Sequence, residues 1–344
     1  MTNYSEVYTL LKELCGAKGV SGAENAAAEV AAEMLAKYMP VKTDALGSVT
    51  GRKEGSGTHI LLDAHLDQIG LIVTAVDSEG FLKVAKCGGA DCRVLAAADV
   101  TVHGKKDVFG IVASTPPHLA KPDEAKKATG FDNMIIDIGM TEKEAKEIVS
   151  LGDRVTFNGE WKELAGNKIS SASVDDRAGV AAILRCLEIL EEKKIDCNLS
   201  VIFSVQEETG GSGAQAGAFS AAPQEAVAVD VSFASAPGVS GEKYAALGKG
   251  TMIGFAPSLD YAMSRTLERI AKEKGIPYQP EVMGGKTGTN CDEIQVSGAG
   301  VKTALLSVPL RNMHTAVEVC DLEDIENTAK LMAEYIAERS RTDA

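Results

Sequence analysis

The sequence predicts an α/β fold: a mostly parallel-sheet domain interrupted by an all-β insertion. Three observations carry that prediction. From Ile169 onward, helical stretches alternate with short apolar runs, the pattern of a parallel sheet wound with helices. Between residues 69 and 161 the texture changes to short strand-like runs separated by Gly, Asp-Ser-Glu-Gly and Lys-Lys-Asp turns. The strand at 59–65, before that change, has the apolar character of the strands after it, so both belong to one sheet. Residues 1–68 plus 162–344 then form a discontinuous α/β domain, and 69–161 form the insertion.

The elements follow in order. Residues 5–38 are predicted helical, with apolar positions three and four apart. A break at 19–24 places Ser21 and Glu24 at the spacing of a capping box. Strands are expected at 41–44, 48–53 and 59–65. The insertion is expected to hold strands at 70–76, 81–85, 100–102, 108–113, 134–138 and 153–157 and a helix at 142–150, with the polar stretch 121–133 as a mobile loop. Beyond it come helix 176–194, strand 199–205, a helix near 213–219, strand 226–231, helix 259–274, strand 301–308 and helix 321–339.

Composition narrows the class of function. A net charge of -14 argues against a nucleic-acid partner, since phosphate binding needs a basic surface. No apolar stretch approaches the roughly 20 residues that span a bilayer, so no membrane partner is expected. The first residues have neither a basic n-region nor an apolar core, so no signal peptide is expected. Seven Cys, odd in number and without a Cys-x-x-Cys, read as reduced thiols of a cytoplasmic protein.

The chemistry is concentrated where strands end. Glu207 and Glu208 follow the apolar run 199–205 and precede Thr209-Gly210-Gly211-Ser212-Gly213. Adjacent carboxylates at the tip of a buried strand repel each other unless a cation sits there, and the usual cation is a metal. In such a site one glutamate ligates while its neighbour takes a proton from the attacking water. His65 and Asp67 share a spacing of two, so one can ligate while the other accepts the second ring proton. Asp175 and Asp176 open a helix, where they either cap it or supply a bridging carboxylate. Asp230 ends an apolar strand, and His314 follows another through Leu310-Arg311-Asn312-Met313. His59, His103 and His118 have no acidic or strand-end company and receive no role. Gly211-Ser212-Gly213-Ala214-Gln215-Ala216 fits a dinucleotide pattern, but two glutamates intervene and would repel a pyrophosphate. Gly285-Lys286-Thr287 resembles the end of a P-loop, but Pro280 stands where its first Gly belongs and no apolar strand leads in.

In order and spacing, these motifs resemble the dinuclear-metal aminopeptidases of metallopeptidase family forty-two, also labelled glutamyl aminopeptidases or endoglucanases. The matching stretches are Val20-Ser21-Gly22-Ala23-Glu24, Ala64-His65-Leu66-Asp67-Gln68-Ile69-Gly70, Val174-Asp175-Asp176-Arg177-Ala178-Gly179, Gln206-Glu207-Glu208-Thr209-Gly210, Ala228-Val229-Asp230-Val231, Leu247-Gly248-Lys249-Gly250 and Pro309-Leu310-Arg311-Asn312-Met313-His314-Thr315. The resemblance implies a phosphorylase/hydrolase-like catalytic domain with an inserted β domain that mediates dimerisation. It implies two divalent metal ions, zinc or cobalt, bridged by Asp175. His65 and Asp230 would complete one metal, Glu208 and His314 the other. Glu207 would be the general base and Asp67 the orienting carboxylate. Gln68, Asn312 and Ser235 depart from the commonest residues of the family; they are expected to line or neighbour the site and so to bear on substrate preference.

The reading is a metal-dependent aminopeptidase that trims short peptides. Its rivals are a deacylase or carboxypeptidase on a related two-metal scaffold and a non-catalytic assembly protein. A glycosidase is also conceivable for a pair of carboxylates, but it would leave both histidines unexplained, and one Trp and seven Tyr give little stacking surface. The β insertion has many short strands and little core of its own, so it is expected to bury a face against a second copy. The resemblance extends this to dimers that close into a hollow dodecamer.

Overall fold

The computed structural model describes residues 4–116, 118–119, 127–239, 241 and 244–341. The chain opens with α1 (Ser5–Gly16), α2 (Asn25–Leu35), β1 (Val41–Thr43), β2 (Val49–Lys53) and β3 (Ile60–His65). A second unit follows: β4 (Gly70–Val76), β5 (Leu82–Cys87), β6 (Asp99–His103), β7 (Asp107–Val112), β8 (Ile135–Asp137), α3 (Glu142–Ile148) and β9 (Arg154–Phe157). The chain then returns through β10 (Lys162–Glu163), β11 (Lys168–Ser171), α4 (Val174–Glu192), β12 (Leu199–Ser204), α5 (Ser212–Ala221) and β13 (Glu225–Phe233). It ends with β14 (Thr251–Phe255), α6 (Tyr261–Lys274), β15 (Tyr278–Val282), α7 (Cys291–Ile294), β16 (Lys302–Leu310), β17 (Glu318–Asp321) and α8 (Leu322–Arg339).

Eight strands form one sheet in the order β1-β2-β12-β3-β13-β16-β14-β15. Its centre, β12-β3-β13-β16, is parallel, as the alternation of strands and helices predicts. Every residue of β3 and β12 is buried, which explains why they read as unbroken apolar runs. One face packs on α4 and α8 through residues such as Val180, Leu184, Leu331 and Ile336, with α1 stacked outside α4. The other packs on α5 and α7 through Leu61, Ala214, Ala218, Ile294 and Leu305. α4 lies between α1, α8 and the sheet, so it is apolar around most of its circumference. α6 is amphipathic; Asp260 caps it by accepting from Met263 N, and Gly275 stops it at φ 65°.

The flanks of the sheet depart from a parallel pattern. β2 runs antiparallel to β12, and β14 to β16. β14 and β15 have no counterpart among the predicted elements. Gly254 interrupts the first, and Pro280 sits in the second, where an edge position makes the missing N–H harmless.

β4-β5-β8-β7-β6-β9 close into an antiparallel barrel, which removes its free sheet edges. Contrary to the expectation of little core and open edges, the barrel has its own core, including Leu71, Val73, Val100, Val102, Ile136 and Val155, because closure buries one face of every strand. Gly80 turns the β4–β5 hairpin at φ 93°, and a Cβ there would overlap the Met140 carbonyl. α3 begins with a capping box between Thr141 and Glu144. The predicted box at Ser21 and Glu24 does not form. Glu24 accepts from Gly22 N, and the Ser21 hydroxyl turns to Asp67 instead. Of the stretch predicted as a loop, residues 121–126 lie outside the described residues, and Phe131–Asn133 is a 3-10 turn.

Candidate metal centre

The sheet delivers its polar side chains at the carboxyl ends of the parallel strands, where open α/β sheets bind ligands. His65 ends β3, and Asp67 follows it. Glu207 and Glu208 follow β12, Asp230 lies on β13, Asp175 opens α4 and His314 follows β16. Six of these seven, all except Asp67, line one cavity of about 510 Å³.

They form two triads with a shared member. His65 Nε2 lies 3.1 Å from Asp175 Oδ1 and 3.9 Å from Asp230 Oδ1. His314 Nε2 lies 3.3 Å from both Asp175 Oδ2 and Glu208 Oε1. Within each triad the donor atoms lie within 4.8 Å of one another. Asp175 therefore offers one oxygen to each triad. Imidazole and carboxylate donors in this arrangement fit divalent cations of the zinc class. Asp176 is committed elsewhere: it accepts from His65 N at 3.3 Å and Gly179 N at 2.9 Å. Glu207 belongs to neither triad, and its Oε2 lies 3.9 Å from His65 Nε2.

The electrostatics favour bound positive charge. Burial pushes Asp230 well above the usual carboxylate range, and the neighbouring Asp176 adds to it. Burial also raises Glu208, and pushes Glu207 up to about 7 against the pull of His65. Asp175 and Glu208, bonded to the His314 ring, push its pKa up to about 11. Acids crowded around two histidines in this way form a pocket that divalent cations would neutralise.

Other residues aim this set. The sequence predicts that the Asp67 carboxylate takes the second ring proton of His65. In the structure β3 ends at His65 and the chain turns, so Nδ1 is 2.9 Å from the Asp67 carbonyl and 3.5 Å from its carboxylate. The carboxylate accepts from Ser21 Oγ at 2.5 Å, Glu207 N at 2.9 Å and Glu208 N at 3.2 Å. Asp67 thus ties the end of β3 to the glutamate turn. Sequence reasoning missed Glu318, which is buried and accepts from Asp175 N and His314 N, joining both triads. Its signal was a carboxylate four residues after His314. Arg177 is fully buried and donates to the carbonyls of Leu66, Leu14 and Ala17, fixing the peptide between His65 and Asp67. Ser173, Gln206, Asn312 and His314 have left-handed φ between 55° and 62°, strain of a kind that gathers at functional sites.

Gln68, Asn312 and Ser235 do not line the cavity. Gln68 accepts Ser21 N, Asn312 Nδ2 donates to Val317 O, and Ser235 O accepts Arg311 Nε. Of the histidines without a role, His103 does have acidic company, Asp107 at 2.9 Å, but both are on the β6–β7 hairpin of the barrel.

The same architecture occurs in known peptidases. The structure matches a TET aminopeptidase of a Thaumarchaeota archaeon from marine sediment with a TM-score of 0.92 and 32% identity, covering 99% of this chain and 98% of that one. It also matches the TET1 peptidase of Pyrococcus horikoshii, which can assemble into a tetrahedron or a large octahedral shell. There the TM-score is 0.85 and the identity 32%, over 96% of this chain and 99% of that one. The fold and these likenesses place the chain among hydrolases of the aminopeptidase class. The chain belongs to the M42 glutamyl aminopeptidase family, whose model matches residues 47–331. A lysyl aminopeptidase of Pyrococcus furiosus is 33% identical, over 96% of this chain and 97% of the relative.

Proposed function

We propose that this protein removes the N-terminal residue of short peptides at a site that holds two divalent cations, zinc or cobalt. One observation carries the reading: two ligand triads share Asp175, with an uncommitted glutamate, Glu207, beside them. Cations bound there would supply Lewis acidity toward the attacking water and the peptide carbonyl. Glu207 takes the proton from that water and returns it to the leaving amine. Asp67 and Glu318 hold the ligands in place through backbone N–H groups, so the geometry needs little reorganisation during reaction. Dialysis against a chelator is expected to abolish hydrolysis of aminoacyl p-nitroanilides, and added zinc or cobalt to restore it. A well-folded, metal-free preparation that remained fully active would end the two-cation reading. Peptides with blocked N-termini should resist, which separates this reading from a deacylase.

Residues 1–68 plus 162–344 serve as the catalytic domain in this reading, and 69–161 as a dimerisation domain. Support comes from β7, whose alternation puts Phe109 and Ile111 outside the barrel, 57% and 43% exposed. Light scattering is expected to show a dimer or dodecamer, and a 36.0 kDa monomer under all conditions would refute the assembly. Seven unpaired cysteines support a cytoplasmic location.

A further inference from the structure

The cavity extends beyond the two triads to a carboxylate that the mechanism does not use. Glu281 of β15 lines the same cavity as His65 and Asp230. Ser307 stands beside Asp230 in the β13–β16 ladder, and Ser232 is two residues further along β13, on the same face. Both hydroxyls donate to Glu281: Ser307 Oγ to Oε2 at 2.8 Å, and Ser232 Oγ to Oε1. Glu281 pairs with Gly254 of β14, which has no side chain to block its path across that strand. Its carboxylate thus lies about one strand spacing, about 5 Å, and one hydrogen bond from Asp230.

Two neutral hydroxyls are weak partners for a half-buried carboxylate that faces the cavity. No salt bridge to Glu281 forms among the described residues, and burial pushes its carboxyl up despite the two serines. Leu305 and Phe233 line the same cavity and suit an aliphatic stem that ends in charge.

We propose that Glu281 sets substrate specificity by pairing with the cationic side chain, Lys or Arg, of the substrate's N-terminal residue; this rests on the aminopeptidase reading above. A lysine whose backbone lies over the triads reaches Glu281 with its four-carbon stem. Substrates lacking the cation leave the carboxylate unpaired in the bound state, and an acidic residue meets repulsion.

The test compares kcat/KM for the p-nitroanilides of Lys, Arg, norleucine and Glu, with saturating metal. Norleucine keeps the stem of lysine and removes its charge. The unmodified protein is expected to favour Lys over norleucine by about 10²-fold. E281Q is expected to erase that preference by lowering kcat/KM for Lys and Arg, while norleucine, freed of an unpaired carboxylate, is cleaved at least as well as before. A native preference for norleucine or Glu overturns the proposal, and needs no variant to be seen. Equal losses on all four substrates in E281Q also overturn it, since the residue would then hold the α-amino group or the fold. If the native protein cleaves none of the four, the aminopeptidase reading itself fails.

Discussion

Glu207→Gln is expected to lower kcat by about 10²–10⁴-fold while the fold and the bound metal remain. The substitution keeps the size of the side chain and removes its capacity to accept a proton. Glu207 stands outside both triads, so no ligand is lost. Its backbone N–H continues to donate to Asp67, so the turn that carries Glu208 keeps its position. Glu208→Gln is the matched control. It alters a triad beside His314, so metal content should fall together with activity. Elemental analysis of both variants, set beside their turnover, distinguishes the two roles. Should Glu207→Gln shed metal and Glu208→Gln retain it, the roles are exchanged.

That the two adjacent glutamates matter was readable in the sequence because charge at the end of a buried strand has to be compensated; which of them ligates came only from the family resemblance. The same logic singled out His65, Asp175 and His314 near element boundaries; Asp230, expected at a strand end, lies inside β13, which runs on to Phe233. The parallel centre of the sheet was legible for a related reason: strands covered on both faces read as continuous apolar runs. β14 and β15 were not legible, because Gly254 and Pro280 break patterns that tertiary pairing restores. Contacts that aim the site were hidden by sequence distance. Ser21 reaches Asp67 across 46 positions, and Glu318 reaches Asp175 across 143. Ser21 also shows how a local motif loses to a tertiary partner, since its capping-box spacing is real and the box does not form. Glu281 carried no signal in the sequence, and only the fold lays it across Gly254 into the cavity.

Asp175→Asn is expected to empty or weaken both metal positions at once, an effect no other single ligand should produce. Asp175 faces His65 with Oδ1 and His314 with Oδ2, so each triad draws on a different oxygen of one carboxylate. An amide keeps one oxygen and replaces the other with an NH2 group, which repels a cation. Whichever way the amide turns, one triad loses a ligand atom, and the other loses the negative charge that held its cation. The backbone N–H that Glu318 accepts is unchanged, so the local chain should keep its course. His65→Ala and His314→Ala each remove a ligand from a single triad and should lower occupancy mainly there. Losing cations forfeits several kcal/mol of transition-state stabilisation. At about 1.4 kcal/mol per tenfold, the expected fall in kcat/KM is about 10³-fold or more. Metal content by elemental analysis, with titration calorimetry on the chelated protein, provides the check. An Asp175→Asn protein that still bound two equivalents of zinc with native affinity would show that Asp175 is not shared between the triads.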